Sequence, residues 1–106
     1  MITIDIFRNQ AQAIVGFSVK GHADTAPHGQ DIVCAAVSAL TQTSILGLER
    51  YLGREIELDI ESGNLKLELL LSPDSLTSAI LETMLLGLSE IAKQHSRSVR
   101  IIEHRR

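Results

Sequence analysis

Five stretches of this chain alternate apolar and polar residues with a period of two, a rhythm that suits strands with one buried face and little else. Ile2, Ile4 and Ile6 alternate with Thr3 and Asp5, and Val15, Phe17 and Val19 with Gly16, Ser18 and Lys20. Asn9 to Ala13 can turn between them, which predicts an opening hairpin. Ile56, Leu58 and Ile60 alternate with Glu55, Glu57, Asp59 and Glu61. Ser62-Gly63-Asn64 then turns the chain into Leu65, Leu67, Leu69 and Leu71, a second predicted hairpin. Val99 and Ile101 mark a last strand. Between these runs the period lengthens. Val33, Val37, Leu40, Ile45, Leu48 and Leu52 form one helical stripe that should start with Asp31 as N-cap and stop at Gly53. Leu76, Ile80, Leu81, Met84, Leu85, Leu88 and Ile91 form another, opened by Ser72-Pro73-Asp74 and running to about Gln94. The predicted order is β-β-α-β-β-α-β. It implies an α+β fold of two layers, a mainly antiparallel sheet with two helices packed on it, in a single domain over 1–106. Leu70 and Ile102 fall on faces that alternation leaves outside, a hint that a second copy covers part of the sheet.

Composition narrows the function classes. A net charge of −3 gives no electrostatic footprint for nucleic acid or an anionic membrane. Three aromatic residues, Phe7, Phe17 and Tyr51, are too few for a base-stacking platform. The longest unbroken apolar run, Ile32 to Val37, is far short of a membrane span, and the first residues do not read as a signal peptide. One cysteine, Cys34, allows no disulfide within the chain and fits a reducing cytoplasm.

The chemistry is concentrated in Gly21–Ser38. Gly21 to Gln30 lacks apolar periodicity and holds Gly21, Pro27 and Gly29, so it reads as a long loop. His22 stands at the end of a strand, and Cys34 falls in the first turn of a helix if Asp31 is the N-cap. There the sulfur would lie near unpaired N–H groups and the positive end of the helix dipole, which favour thiolate. A neighbouring imidazole would favour it further. Twelve residues separate His22 from Cys34, and a chain of that length can reach about 40 Å, so the loop can fold back and unite them. Asp31 and Ser38 share the Cys34 face of the helix. Asp31 could orient His22 or simply cap the helix; Ser38 could meet substrate or sulfur, or bond the carbonyl one turn back.

A structural reading stands beside each of these. Free cysteine is often a buried small hydrophobe, and Ile32, Val33, Ala35 and Ala36 suit a buried segment. His28, His95 and His104 read as loop or surface residues. His22, His28 and Cys34 with Asp24 or Asp31 could in principle surround zinc, but their spacing matches no compact zinc motif, so neither metal nor cofactor is expected. The acidic run Glu55, Glu57, Asp59, Glu61 is most simply a solvated sheet face, or else an attractor for a basic segment of a partner.

Gly21-His22-Ala23, followed by Gly29-x-Asp31-Ile32-Val33-Cys34-Ala35-Ala36-Val37-Ser38, resembles the ribosomal-processing cysteine protease family, Prp. The resemblance implies a cytoplasmic bacterial endopeptidase that trims a short N-terminal extension from a large-subunit ribosomal protein, working as a homodimer without a cofactor. It implies Cys34 as nucleophile and His22 as general base, with Asp31 and Ser38 at positions the motif retains beside them. Thr25 stands where many members carry an aromatic residue. The competing reading is a non-catalytic, ribosome-associated binding module with a structural cysteine; a third is a dimerisation domain with a buried thiol.

Overall fold

A computed structural model describes the backbone of residues 1–21 and 28–106, with side chains in the first helix described from Ile32 onward. The elements are β1 (Ile2–Arg8), β2 (Ile14–Lys20), α1 (His28–Leu46), a π-helical turn (Gly47–Tyr51), β3 (Ile56–Glu61), β4 (Asn64–Leu69), α2 (Ser75–Gln94) and β5 (Val99–Arg105). This is the α+β order that the alternating runs predict. The five strands lie in the order β3-β4-β2-β1-β5. All neighbours are antiparallel except β1 and β5, which run parallel in the register Ile2↔Val99 through Arg8↔Arg105. Antiparallel neighbours need only short turns, whereas the parallel pair needs a long crossover.

One core holds the two layers together. Ile4, Ile6, Phe17 and Leu67 from the sheet are fully buried against Leu48, Leu81 and Leu88 from the helical layer. The helices approach closely at two glycines: a Cβ on Gly87 would stand 2.9 Å from Leu40 Cδ1, and one on Gly47 would stand 3.2 Å from Ile80 Cδ1. The stretch Ile32–Tyr51 and α2 reach mean hydropathies of 1.5 and 1.2, enough by length and composition for a bilayer span. Counting unbroken apolar residues is therefore too strict a sequence criterion, because Ser, Thr and Gly interrupt these helices without making them polar. Their buried residues Val33, Val37, Leu81 and Leu88 join the strands in the common core.

Helix boundaries hold two surprises and one agreement. α1 starts at His28, so Asp31 is not its N-cap but its fourth residue. Gly29 costs only about 1 kcal/mol inside a helix with so long an apolar stripe, so it does not hold the start back to Asp31. In α2 the N-cap is Asp74, which accepts from the N–H groups of Leu76 and Thr77 while the Thr77 hydroxyl accepts from the Asp74 N–H. That capping box buries Thr77 and turns Leu76 outward, 54% exposed, so Leu76 leaves the core stripe expected of it. At the other end of the first helical segment, the Leu52 N–H closes the π turn onto the Gly47 carbonyl, and Gly53 takes φ +64° as the stop. β4 ends at Leu69, leaving Leu70 and Leu71 outside it and exposed, whereas Ile102 is half-buried.

The sheet face turned away from the helices is polar yet ordered. Asp5 is buried there, accepting from Ser18 Oγ at 3.0 Å and from His104 Nε2 at 2.7 Å. His104 is thus at the surface, as the sequence suggests, and is also a strand residue with a carboxylate partner; its ring stacks on Phe7 with centroids 5.2 Å apart.

Candidate active site

The described part of the site is a groove of about 200 Å³ between the Cys34–Gln42 stretch of α1 and the strand ends beside it. Cys34 and Ser38 line one wall, with Thr41 and Gln42 farther along the same helix. These residues recur at intervals of three and four, so they share one helix face. Ile60, Glu61, Gly63 and Asn64 from the β3–β4 hairpin line the opposite wall, and Gly21 closes one end.

Gly21 fixes that end by necessity. Its φ is +83°, and a Cβ there would lie 2.4 Å from the Met1 carbonyl oxygen. Its N–H donates to the Gly63 carbonyl at 2.9 Å, tying the end of β2 to the hairpin turn. Only glycine fits a left-handed backbone wedged this closely against another chain segment. The residue that immediately precedes His22 is thereby anchored in the groove that holds Cys34.

Cys34 is half-buried, its neighbour Val33 is buried, and Ile32 is 67% exposed. The thiol is therefore not sealed in the core. Because α1 begins at His28, Cys34 is the seventh helical residue rather than the third. The dipole field and the unpaired N–H groups belong to the first turn, so neither acts on this sulfur as the sequence reading expected.

Ser38 is exposed beside it and takes a bond that sequence reasoning did not foresee. Gln42 Nε2 donates to Ser38 Oγ at 2.9 Å. The back-bond to a carbonyl one turn earlier is made instead by Thr41, to Val37 at 2.9 Å, and by Ser44, to Leu40 at 2.8 Å. Gln42 was findable: it follows Cys34 and Ser38 at the next interval of four. Asn64 and Ile60 were not, because they reach the site through strand pairing.

His22 lies outside the described residues, as do the side chain of Asp31 and most of the His/Cys/Asp set weighed for zinc. Among the described residues no three His, Cys, Asp or Glu side chains gather into a metal site. Glu61 is the one charged residue lining the described groove.

The chain is similar to known proteins over nearly its whole length. The family model for cysteine protease Prp matches residues 1–100. The chain is 32% identical over 106 residues to the ribosomal processing cysteine protease Prp of Staphylococcus aureus, covering 95% of this chain and 97% of that protein. The Prp of Bacillus subtilis is likewise 32% identical over 107 residues, covering 95% and 96%. A crystal structure of the S. aureus protease with a covalently linked product peptide matches with a TM-score of 0.88 at 26% identity, covering 98% of this chain and all of that one.

Proposed function

The chain belongs to the Prp family of cysteine proteases, and from that membership we propose that it removes an N-terminal extension from a large-subunit ribosomal protein, with Cys34 as nucleophile and His22 as general base. The observation that carries the reading is the accessible, half-buried thiol of Cys34 in a groove whose end is fixed by Gly21, one residue before His22. A thiol with a purely structural role has no need of an open groove.

In this mechanism His22 takes the thiol proton as Cys34 Sγ adds to the scissile carbonyl carbon, giving a tetrahedral oxyanion. Collapse breaks the C–N bond, and the imidazolium delivers its proton to the leaving amine, so that a thioester remains. Water, deprotonated by the same ring, adds to the thioester and releases the carboxylic acid and the thiol. The Cys34 N–H sits within the helix ladder, so oxyanion donors come from elsewhere. Asn64 carries an amide NH2 on the groove wall and suits the task. One well-placed donor is worth about 3 kcal/mol of transition-state stabilisation. Asp31 would orient His22, and Ser38 would hydrogen-bond the substrate. The reaction needs no metal or organic cofactor, and the cytoplasm keeps its single thiol reduced. A homodimer is part of the proposal. Leu70, Leu71 and Leu86, each more than half exposed, are apolar surface for a second copy to cover, and sedimentation velocity reads the state directly.

The test is incubation with N-terminally extended ribosomal proteins of the source bacterium, followed by mass spectrometry of their N-termini. Wild-type protein should shorten one of them; Cys34→Ala should fold normally and leave it intact. Cleavage retained by Cys34→Ala would remove the nucleophile assignment. If no ribosomal protein is shortened yet one is bound equally by both forms, the binding-module reading replaces the protease.

A further inference from the structure

β3 is the edge of the sheet, and among the described residues no strand lies on the side away from β4. The phase of its ladder follows from two facts. The Leu70 N–H donates to the Glu55 carbonyl at 3.2 Å, and Glu61 pairs with Asn64 across a two-residue turn. In an antiparallel pair such residues alternate with ones whose backbone groups point the other way. Glu55, Glu57, Asp59 and Glu61 therefore bond to β4, while the N–H and C=O groups of Ile56, Leu58 and Ile60 aim outward.

The side chains divide just as cleanly. Leu58 stands opposite Leu67, and Ile60 opposite Leu65, two buried residues on the helix side of the sheet. Yet Leu58 is 38% and Ile60 62% exposed, so the helices stop short and leave an apolar shelf. On the other face Glu57 stands opposite Glu68, and Asp59 opposite Lys66. Glu68 is already bound by Arg106 through two hydrogen bonds of 2.8 and 2.6 Å. Glu57 and Asp59 form no ion pair among the described residues. The edge is continuous with the groove, because Ile60 and Glu61 line it together with Cys34.

We propose that the β3 edge takes up a segment of the polypeptide substrate as an added strand, and selects a segment that alternates apolar residues with Lys or Arg. Main-chain bonds to Ile56, Leu58 and Ile60 hold it in register. Its apolar residues lie on the Leu58–Ile60 shelf, and its cationic residues lie beside Glu57 and Asp59. The strand leads the chain into the groove toward Cys34. This specificity rests on the protease reading, but its test does not depend on hydrolysis.

The probe is a fluorescent eight-residue peptide of alternating valine and lysine, compared with its valine–glutamate counterpart, titrated by anisotropy against Cys34→Ala protein. The lysine peptide should bind at least about tenfold more tightly, less so in high salt. Leu58→Pro deletes an outward N–H without touching the β4 ladder and should weaken that binding at least about fivefold. Glu57→Lys with Asp59→Lys keeps every backbone bond and should reverse the preference to the glutamate peptide. Equal binding of both peptides, or binding indifferent to Leu58→Pro and to the charge reversal in proteins that melt normally, overturns the proposal. Such a result leaves the Cys34-dependent cleavage assay untouched, so the two readings fail separately.

Discussion

Gln42 Nε2 holds Ser38 Oγ at 2.9 Å, one helical turn beyond Cys34 and in the same groove. With a lone pair of the serine oxygen taken up by this amide, the hydroxyl hydrogen is left to donate to a substrate or to the sulfur. Gln42→Ala frees the hydroxyl to turn back to the Cys34 carbonyl, the default for a serine in mid-helix. Loss of one oriented hydrogen bond should lower kcat/KM for peptide cleavage roughly three- to tenfold. The melting temperature should not change, since both side chains are at the surface. Ser38→Ala should give the same loss, and the double variant no more than either alone.

Gly21→Ala tests the groove end. The new Cβ would meet the Met1 carbonyl at 2.4 Å from a backbone at φ +83°, so strain and clash act together. Destabilisation of roughly 2 kcal/mol or more is expected from thermal or urea unfolding. Cleavage should fall further than stability does, because the displaced backbone also leads to His22. Gly53→Ala is the control: its φ is +64° but nothing lies within 4 Å of the added Cβ, so it should lose the smaller amount.

The start of α2 depends on Asp74, which serves two partners. Its carboxylate accepts the Leu76 and Thr77 N–H groups at 3.0 and 3.1 Å and also pairs with Arg54. The Arg54 hydrogen bond, followed by that from the Thr77 backbone, holds the carboxyl below its ordinary range. Asp74→Ala removes the whole box and should lower Tm by several degrees. Asp74→Ser keeps a capping oxygen and should recover most of the loss, whereas Arg54→Ala should cost less because that pair is largely solvent-exposed.

The fold was legible wherever the cause is local. Alternation in Ile2–Ile6 or Leu65–Leu69 expresses one buried face, and Ser62-Gly63-Asn64 expresses a turn, so the element order could be read directly. Which strands adjoin could not. β5 lies parallel to β1 rather than beside the open edge of β3, and the alternation in Val99–Arg105 does not name that partner. The helix start is misplaced in the sequence reading because Asp31 is a good cap in isolation, although the helix already runs from His28. The candidate site was half legible. Cys34 and Ser38 announce themselves by spacing on one helix, but Ile60 and Asn64 reach the groove through strand pairing. That His104, a surface histidine as expected, has a carboxylate partner was not legible, because Asp5 is 99 residues away in sequence.

That Asp5–His104 contact gives the fold a defined acid dependence. Burial alone would raise the Asp5 carboxyl, but hydrogen bonds from His104 and Ser18 outweigh it, and the net result lies below the ordinary value of 3.8. A carboxyl lowered on folding contributes stability that is fully present above its unfolded value and is lost as pH falls through the folded one. Glu68, lowered chiefly by its hydrogen bonds with Arg106 against a smaller effect of burial, acts in the same direction. Asp5→Asn should therefore destabilise the protein clearly at about pH 6, where the wild-type carboxylate is ionised. The gap between the two melting temperatures should close as the pH is taken below the ordinary carboxylate range, because the wild type then loses the charge that the variant never had. Melting curves across that range decide the matter: a gap that stays constant with pH would mean that Asp5 stabilises the sheet through packing and neutral hydrogen bonds, not through its charge.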